Sequence, residues 1–158
     1  MAAVGRMLIT GGSGFLGSVL SRKAGEAGYD VHATFYSNEP PAGQGVRAVH
    51  LDLRQSDKKT AQFVKTISPD VVIHTAYSQN DRSVTYGGTV SLARVCRARE
   101  VRPLFIFLST DLVFDGVRGA YTEDDEPRPL MDYGRDKLDA EKAVLELLPD
   151  ALVVRTSL

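Results

Sequence analysis

The chain has 158 residues, 43% of them hydrophobic and 25% charged, with a formal net charge of −1. That length fits one domain with a sizeable core, and the balance is that of a soluble globular protein. The near-zero charge argues against nucleic acid or an anionic membrane as a partner. No apolar run reaches membrane-span length, and residues 1–6 offer no signal-peptide core.

The first strand-like run, 6–10, passes directly into glycines at 11, 14 and 17, and an amphipathic helical pattern follows over 15–27. Strand, glycine turn and helix in that order suit a dinucleotide pyrophosphate seated on a helix N-terminus. Gly11 suits the tight turn, Gly14 a close approach to phosphate, and Gly17 close packing of helix on strand. The spacing is G-x-x-G-x-x-G rather than G-x-G-x-x-G. Further strand-like runs fall at 30–35 and 46–51, joined by a Pro- and Gly-bearing loop, Ser37–Gly45, with no helix of its own. A helix is expected at 57–67, a strand at 70–75, a helix at 81–99 and a strand at 103–109. The stretch Val117–Pro129, with its acidic run Glu123–Glu126, reads as a solvated surface loop. A helix at 135–148 and a strand at 151–155 complete the chain. This alternation predicts an α/β fold, a doubly wound, Rossmann-like parallel sheet with helices on both faces. Ligands are then expected at the carboxyl ends of the strands.

The single cysteine, Cys96, sits in an apolar-periodic run and reads as a buried structural thiol, in keeping with a reducing cytoplasm. His32, His50 and His74 are far apart and lack metal-ligand spacing, so no metal site is expected. Tyr133 and Lys137 are four residues apart and share one helix face. An ammonium beside a phenol favours the phenolate, so the pair predicts a Tyr133 pKa below its usual value near 10 and a tyrosine able to exchange protons near neutrality. The strand ending in Ser109 and Thr110 brings hydroxyls to the expected ligand edge. There they can either bind a substrate oxygen or cap the turn.

Together, Thr10-Gly-Gly-Ser-Gly-Phe-Leu-Gly17, Thr110 and Tyr133-x-x-x-Lys137 resemble the short-chain dehydrogenase/reductase superfamily in its extended branch. Asp52-Leu53, Ser68-Pro-Asp-Val-Val-Ile-His74, Ser109-Thr-Asp-Leu-Val-Phe-Asp-Gly116, Tyr121-Thr-Glu123 and Tyr133-Gly134 resemble dTDP-4-dehydrorhamnose reductases and their sugar-nucleotide relatives. The regulatory β subunit of methionine adenosyltransferase is similar through the same segments. The Val113-Phe-Asp-Gly116 wording differs from the Val-Tyr-Gly usual in the branch's epimerases.

The resemblance implies an oxidoreductase that transfers hydride from a nicotinamide cofactor to a 4-keto nucleotide sugar. A cofactor-binding regulatory subunit is the second reading, and an epimerase or dehydratase the third. It implies that amides from Ser13 through Phe15 to Leu16 hold the pyrophosphate, that Asp52 and Leu53 border the adenine, and that Ala76 and Tyr77 line the ribose side. Thr110, Tyr133 and Lys137 would be the catalytic group: Tyr133 the proton donor, Lys137 its tuner and ribose ligand, Thr110 the partner of the reacting oxygen. Glu123 would approach substrate, and Arg155 at the end of the last strand is followed by Thr156 and Ser157, where the family nears the nicotinamide. Thr85 stands where the family often has an asparagine supporting the lysine. Asp136, standing where serine is common, reads as solvated. The end of the second strand, Thr34-Phe-Tyr-Ser37, has no acidic residue to grip a ribose 2′-hydroxyl. Ser37 or Arg47 can take a 2′-phosphate instead, so NADP(H) is expected over NAD(H). Helix pairing in the family implies a possible homodimer. Family members continue past the position of Leu158 with a substrate-binding lobe, so this length is expected to bind cofactor and turn over sugar nucleotide poorly.

Overall fold

The computed structural model describes residues 4–40 and 43–157. Pro41 of the expected 37–45 loop, the first three residues of the segment read for a signal peptide, and Leu158 lie outside the described residues.

Six strands form one parallel sheet: β1 (Arg6–Thr10), β2 (Asp30–Phe35), β3 (Val46–His50), β4 (Val71–His74), β5 (Leu104–Thr110) and β6 (Leu152–Thr156). Their order is β3-β2-β1-β4-β5-β6. The chain runs outward from β1 in one direction and then returns to start β4 on its other side. The switch point between β1 and β4 therefore opens a crevice at the carboxyl ends of these strands.

Strand β1 is apolar on both faces because it lies at the centre of the sheet: Leu8 and Ile9 are fully buried and Met7 nearly so. Alternation along the strands divides the core in two. Met7, Ile9 and Val31 face α1 (Phe15–Glu26), against Leu20 and Ala24. Leu8, Val72, Phe105 and Phe107 face the other way, against α2 (Asp57–Ile67), α3 (Thr89–Arg97) and α4 (Asp132–Leu147). Cys96 is buried in this second cluster, and the apolar side of α3 is spent on it. Among the described residues only α1 covers the first face, and Leu152 and Val154 on β6 are exposed.

The helix expected over 81–99 divides in two. Ser83–Gly88 is wound as a π-helix, and α3 begins only at Thr89. The wider turn goes with a tight contact: a Cβ on Gly88 would sit 2.6 Å from the Leu53 Cβ. Thr85, within it, donates to the Ser78 carbonyl at 2.6 Å and accepts from the Ser78 amide at 2.9 Å. The Thr85 hydroxyl thus pins the loop leaving β4 to this turn. Helix α4 starts at Asp132, three residues earlier than the periodicity suggests, and places Tyr133 and Lys137 one turn apart.

Candidate active site

At the end of β1 the backbone turns at Gly11, whose φ is +71°, and α1 begins after Gly14 in extended conformation. The turn is clamped from behind. A Cβ on Gly17 would stand 2.1 Å from the Gly11 carbonyl oxygen, and one on Gly12 would stand 2.7 Å from the Ala33 Cβ. By contrast, a Cβ on Gly14 would meet only the Gly11 carbonyl oxygen, at 3.3 Å, and the space in front of it is cleft. Among the described residues, the amides of Phe15, Leu16 and Gly17 have no backbone acceptor. They present the partial positive charge of a 12-residue helix to that cleft.

Two adjoining cavities share Gly11, Gly14, Thr75 and Tyr77 and form one trough along the carboxyl edge of the sheet. The first, about 340 Å³, is lined by Phe15, Leu16, Gly17, Ser109, Thr110, Tyr133, Lys137, Thr156 and Ser157. The second, about 390 Å³, is lined by Ser13, Tyr36, Ser37, Asp52, Leu53, Arg54 and Ala76. Every expected site residue except Glu123 and Arg47 therefore lines one trough. Glu123 is exposed on the loop after Phe114 and lines neither half. That loop is held by its own contacts, Phe114 stacked on Tyr121 at 4.4 Å and Asp125 paired with Arg118 at 2.6 Å.

Within the first half, Tyr133 packs against Tyr77 with ring centroids 5.3 Å apart. The Lys137 ammonium donates to the Leu108 carbonyl oxygen and lies 4.3 Å from the Phe107 ring centroid. Desolvation dominates both side chains. Burial, with a smaller contribution from Tyr77, pushes the Tyr133 phenol up to about 12. Burial also lowers Lys137 to about 8 against the opposing pull of Glu141. This corrects the expectation of a depressed tyrosine pKa, because the ammonium is committed to a backbone carbonyl and burial outweighs its field. A phenol kept protonated through neutrality is a proton donor.

The two hydroxyls at the end of β5 differ in their engagement. Thr110 caps the short turn Asp111–Val113, its Oγ1 accepting from the Leu112 amide at 3.2 Å. The Ser109 hydroxyl is 5% exposed as a residue and has no hydrogen-bond partner among the described residues. A buried, unpaired hydroxyl costs about 1–3 kcal/mol, and this one lines the cleft.

Thr156 and Ser157 line the cleft, while the guanidinium of the preceding Arg155 grips the Glu141 carboxylate at 2.7 and 3.1 Å. Two other expectations are corrected. Asp136 is not solvated: its side chain is 13% exposed and pairs with Arg82, which also pairs with Asp139 at 2.9 Å. Arg47 pairs with Asp30, near the start of the strands, at the opposite end of the sheet from the trough. The guanidinium that does line the second half is Arg54, whose only sequence signal is a cation two residues past the Asp52 that ends the third strand's approach.

Behind the trough, His74 is fully buried and neutral, lowered to about 3 by burial and by the Lys137 charge. Its Nδ1 meets Thr10 Oγ1 at 2.5 Å and its Nε2 meets Thr89 Oγ1 at 2.8 Å. The Thr89 proton goes to the Thr85 carbonyl at 2.6 Å, so His74 must donate from Nε2 and accept at Nδ1. Among the described residues no cluster of His, Cys, Asp or Glu could hold a metal ion, and no helix is long and apolar enough to cross a membrane.

Comparison with known proteins agrees with this fold. The profile of the RmlD substrate binding domain matches residues 5–158. A probable low-salt glycan biosynthesis reductase of Haloferax volcanii is 37% identical over 94% of this chain and 52% of its own. The β subunit of methionine adenosyltransferase 2 of Rattus norvegicus is 31% identical over 95% of this chain and 46% of its own. A crystal structure of a dTDP-4-dehydrorhamnose reductase from Clostridium acetobutylicum superposes with a TM-score of 0.79 at 26% identity, over 96% of this chain and 53% of that one. The chain spans about half the length of the curated relatives it matches.

Proposed function

The chain belongs to the RmlD substrate binding domain family, and from that premise we propose that it is the cofactor-binding domain of a short-chain dehydrogenase/reductase. In this reading it reduces the 4-keto group of a nucleotide sugar, with NADP(H) preferred over NAD(H). The observation that carries the reading is the convergence of the glycine turn, Ser109, Thr110, Tyr133 and Lys137 on one cleft.

The residues present fit a dinucleotide. The open side of Gly14 and the free amides of Phe15 to Gly17 suit a pyrophosphate, and the orphaned Ser109 hydroxyl awaits a polar partner at the opposite wall. The chemistry a reduced nicotinamide supplies when bound is a hydride for the carbonyl carbon. Tyr133 gives its phenolic proton to the carbonyl oxygen as that oxygen gains charge, and it recovers the proton from solvent. Lys137, mostly cationic at neutral pH, stabilises the phenolate left behind and donates to the cofactor ribose. Ser109 and Thr110 orient the carbonyl oxygen; Ser109 does so with no competing partner. Asp52, Leu53, Ala76 and Tyr77 border the adenosine and ribose. The free, buried Cys96 accords with a reducing cytoplasm.

The test is NADPH oxidation with dTDP-4-dehydrorhamnose by the wild type and by Tyr133→Phe, alongside cofactor binding followed by fluorescence. Turnover lost in the variant with NADPH binding retained is the expected result. Equal turnover by both proteins would remove Tyr133 from the chemistry. The similarity to the methionine adenosyltransferase β subunit favours a second reading, a cofactor-filled regulatory subunit. Bound NADPH with no turnover, together with tight association to a second protein, would favour it.

A further inference from the structure

The end of β2 is where an acidic residue commonly holds the ribose 2′-hydroxyl of NAD. Here that place is taken by Tyr36 and Ser37, with no carboxylate. The residue that covers it comes from a different strand connection. The Arg54 guanidinium lies 4.6 Å from the Tyr36 ring centroid. Its Nε and Nη2 donate to the two Asp52 oxygens at 2.9 and 3.1 Å. This grip fixes the plane of the guanidinium and uses two of its five N–H groups. Nη1 and the outer N–H of Nη2 are left over by this grip, and Arg54 lines the same cavity as Ser13 and Ser37.

We propose that Arg54, seated over the Tyr36 ring and oriented by Asp52, is the specificity-determining residue that receives the 2′-phosphate of NADP(H), with Ser37 and Ser13 as hydroxyl donors from the same cavity. This rests on the cofactor reading above and deepens it. A phosphomonoester carries about −1.5 to −2 charges at pH 7, so it takes charge-assisted hydrogen bonds from the N–H groups that Asp52 leaves on Arg54, with the Asp52 grip in place. A 2′-hydroxyl offers no such charge. Tyr36 supplies the cation–π seat that keeps the exposed guanidinium from swinging into solvent.

The test is a fluorescence titration of the 158-residue chain with NADPH and NADH, repeated on Arg54→Gln and Tyr36→Ala. Calorimetric binding of 2′,5′-ADP and 5′-AMP gives a readout free of nicotinamide and of turnover. Arg54→Gln should weaken NADPH and 2′,5′-ADP by roughly tenfold to a hundredfold, the range for a charge-assisted phosphate contact. NADH and 5′-AMP should weaken far less, within about twofold, because neither carries the 2′-phosphate that Arg54 receives. Tyr36→Ala should reproduce part of that selective loss. Equal weakening of all four ligands would mean that Arg54 only shapes the adenine wall, and it would overturn the proposal. A wild type that prefers NADPH while Arg54→Gln changes nothing would overturn it too, leaving the cofactor reading intact. Failure of the wild type to bind any of the four would defeat both.

Discussion

His74 begins in the unfolded chain as an ordinary imidazole and ends as a neutral ring with both nitrogens engaged between Thr10 and Thr89. Its folded pKa falls from 6.5 to about 3, burial first and the Lys137 charge second. Between those values the unfolded chain holds a proton that the folded protein refuses, so stability rises with pH across the window. The contribution is complete above 6.5 and is lost progressively as pH falls towards 3. Each pH unit below the unfolded value costs about 1.4 kcal/mol, so acidification from pH 7.5 to 5.0 removes about 2 kcal/mol through this residue alone. Urea unfolding followed by circular dichroism at the two pH values, for the wild type and for His74→Gln, isolates the effect. His32, also lowered by burial, is present in both proteins and cancels in the comparison. The variant starts less stable because a glutamine cannot keep both hydrogen bonds at the ring's geometry, but its loss on acidification should be smaller by about 2 kcal/mol. Equal losses at matched denaturant slopes would show that His74 is protonated in the folded state and that the hydrogen-bond assignment is wrong.

Gly17→Ala drives a Cβ to 2.1 Å from the Gly11 carbonyl oxygen and must push α1 off the turn. A loss of about 1–3 kcal/mol in urea unfolding is expected, with NADPH fluorescence enhancement abolished; unchanged binding would mean that the turn tolerates displacement. Arg155→Ala strands the Glu141 carboxylate, 3% exposed, without its partner. About 3–5 kcal/mol should be lost, and the double replacement Arg155→Met with Glu141→Leu should recover most of it. A double variant no more stable than the single one would refute the desolvation argument.

Length, alternation and the glycine turn determined the six strands, the parallel sheet and the phosphate-facing helix, because those features follow from local backbone freedom and from the period of apolar residues. The spacing of Tyr133 and Lys137 likewise fixed that they share a helix face. What that face does to their proton affinities was decided by burial against Phe107, Tyr77 and the Leu108 carbonyl, none of which spacing can report. The π-turn at Ser83–Gly88 was decided by contacts distant in sequence, Gly88 against Leu53 and Thr85 against the loop after β4. Asp136 and Arg47 lie elsewhere than expected because each found an opposite charge on a neighbouring element, Arg82 for one and Asp30 for the other. Arg54 came into view only when β2 and β3 were laid side by side. Sequence carries what each residue prefers alone, whereas desolvation and charge pairing depend on which neighbours the sheet order brings within a few ångströms.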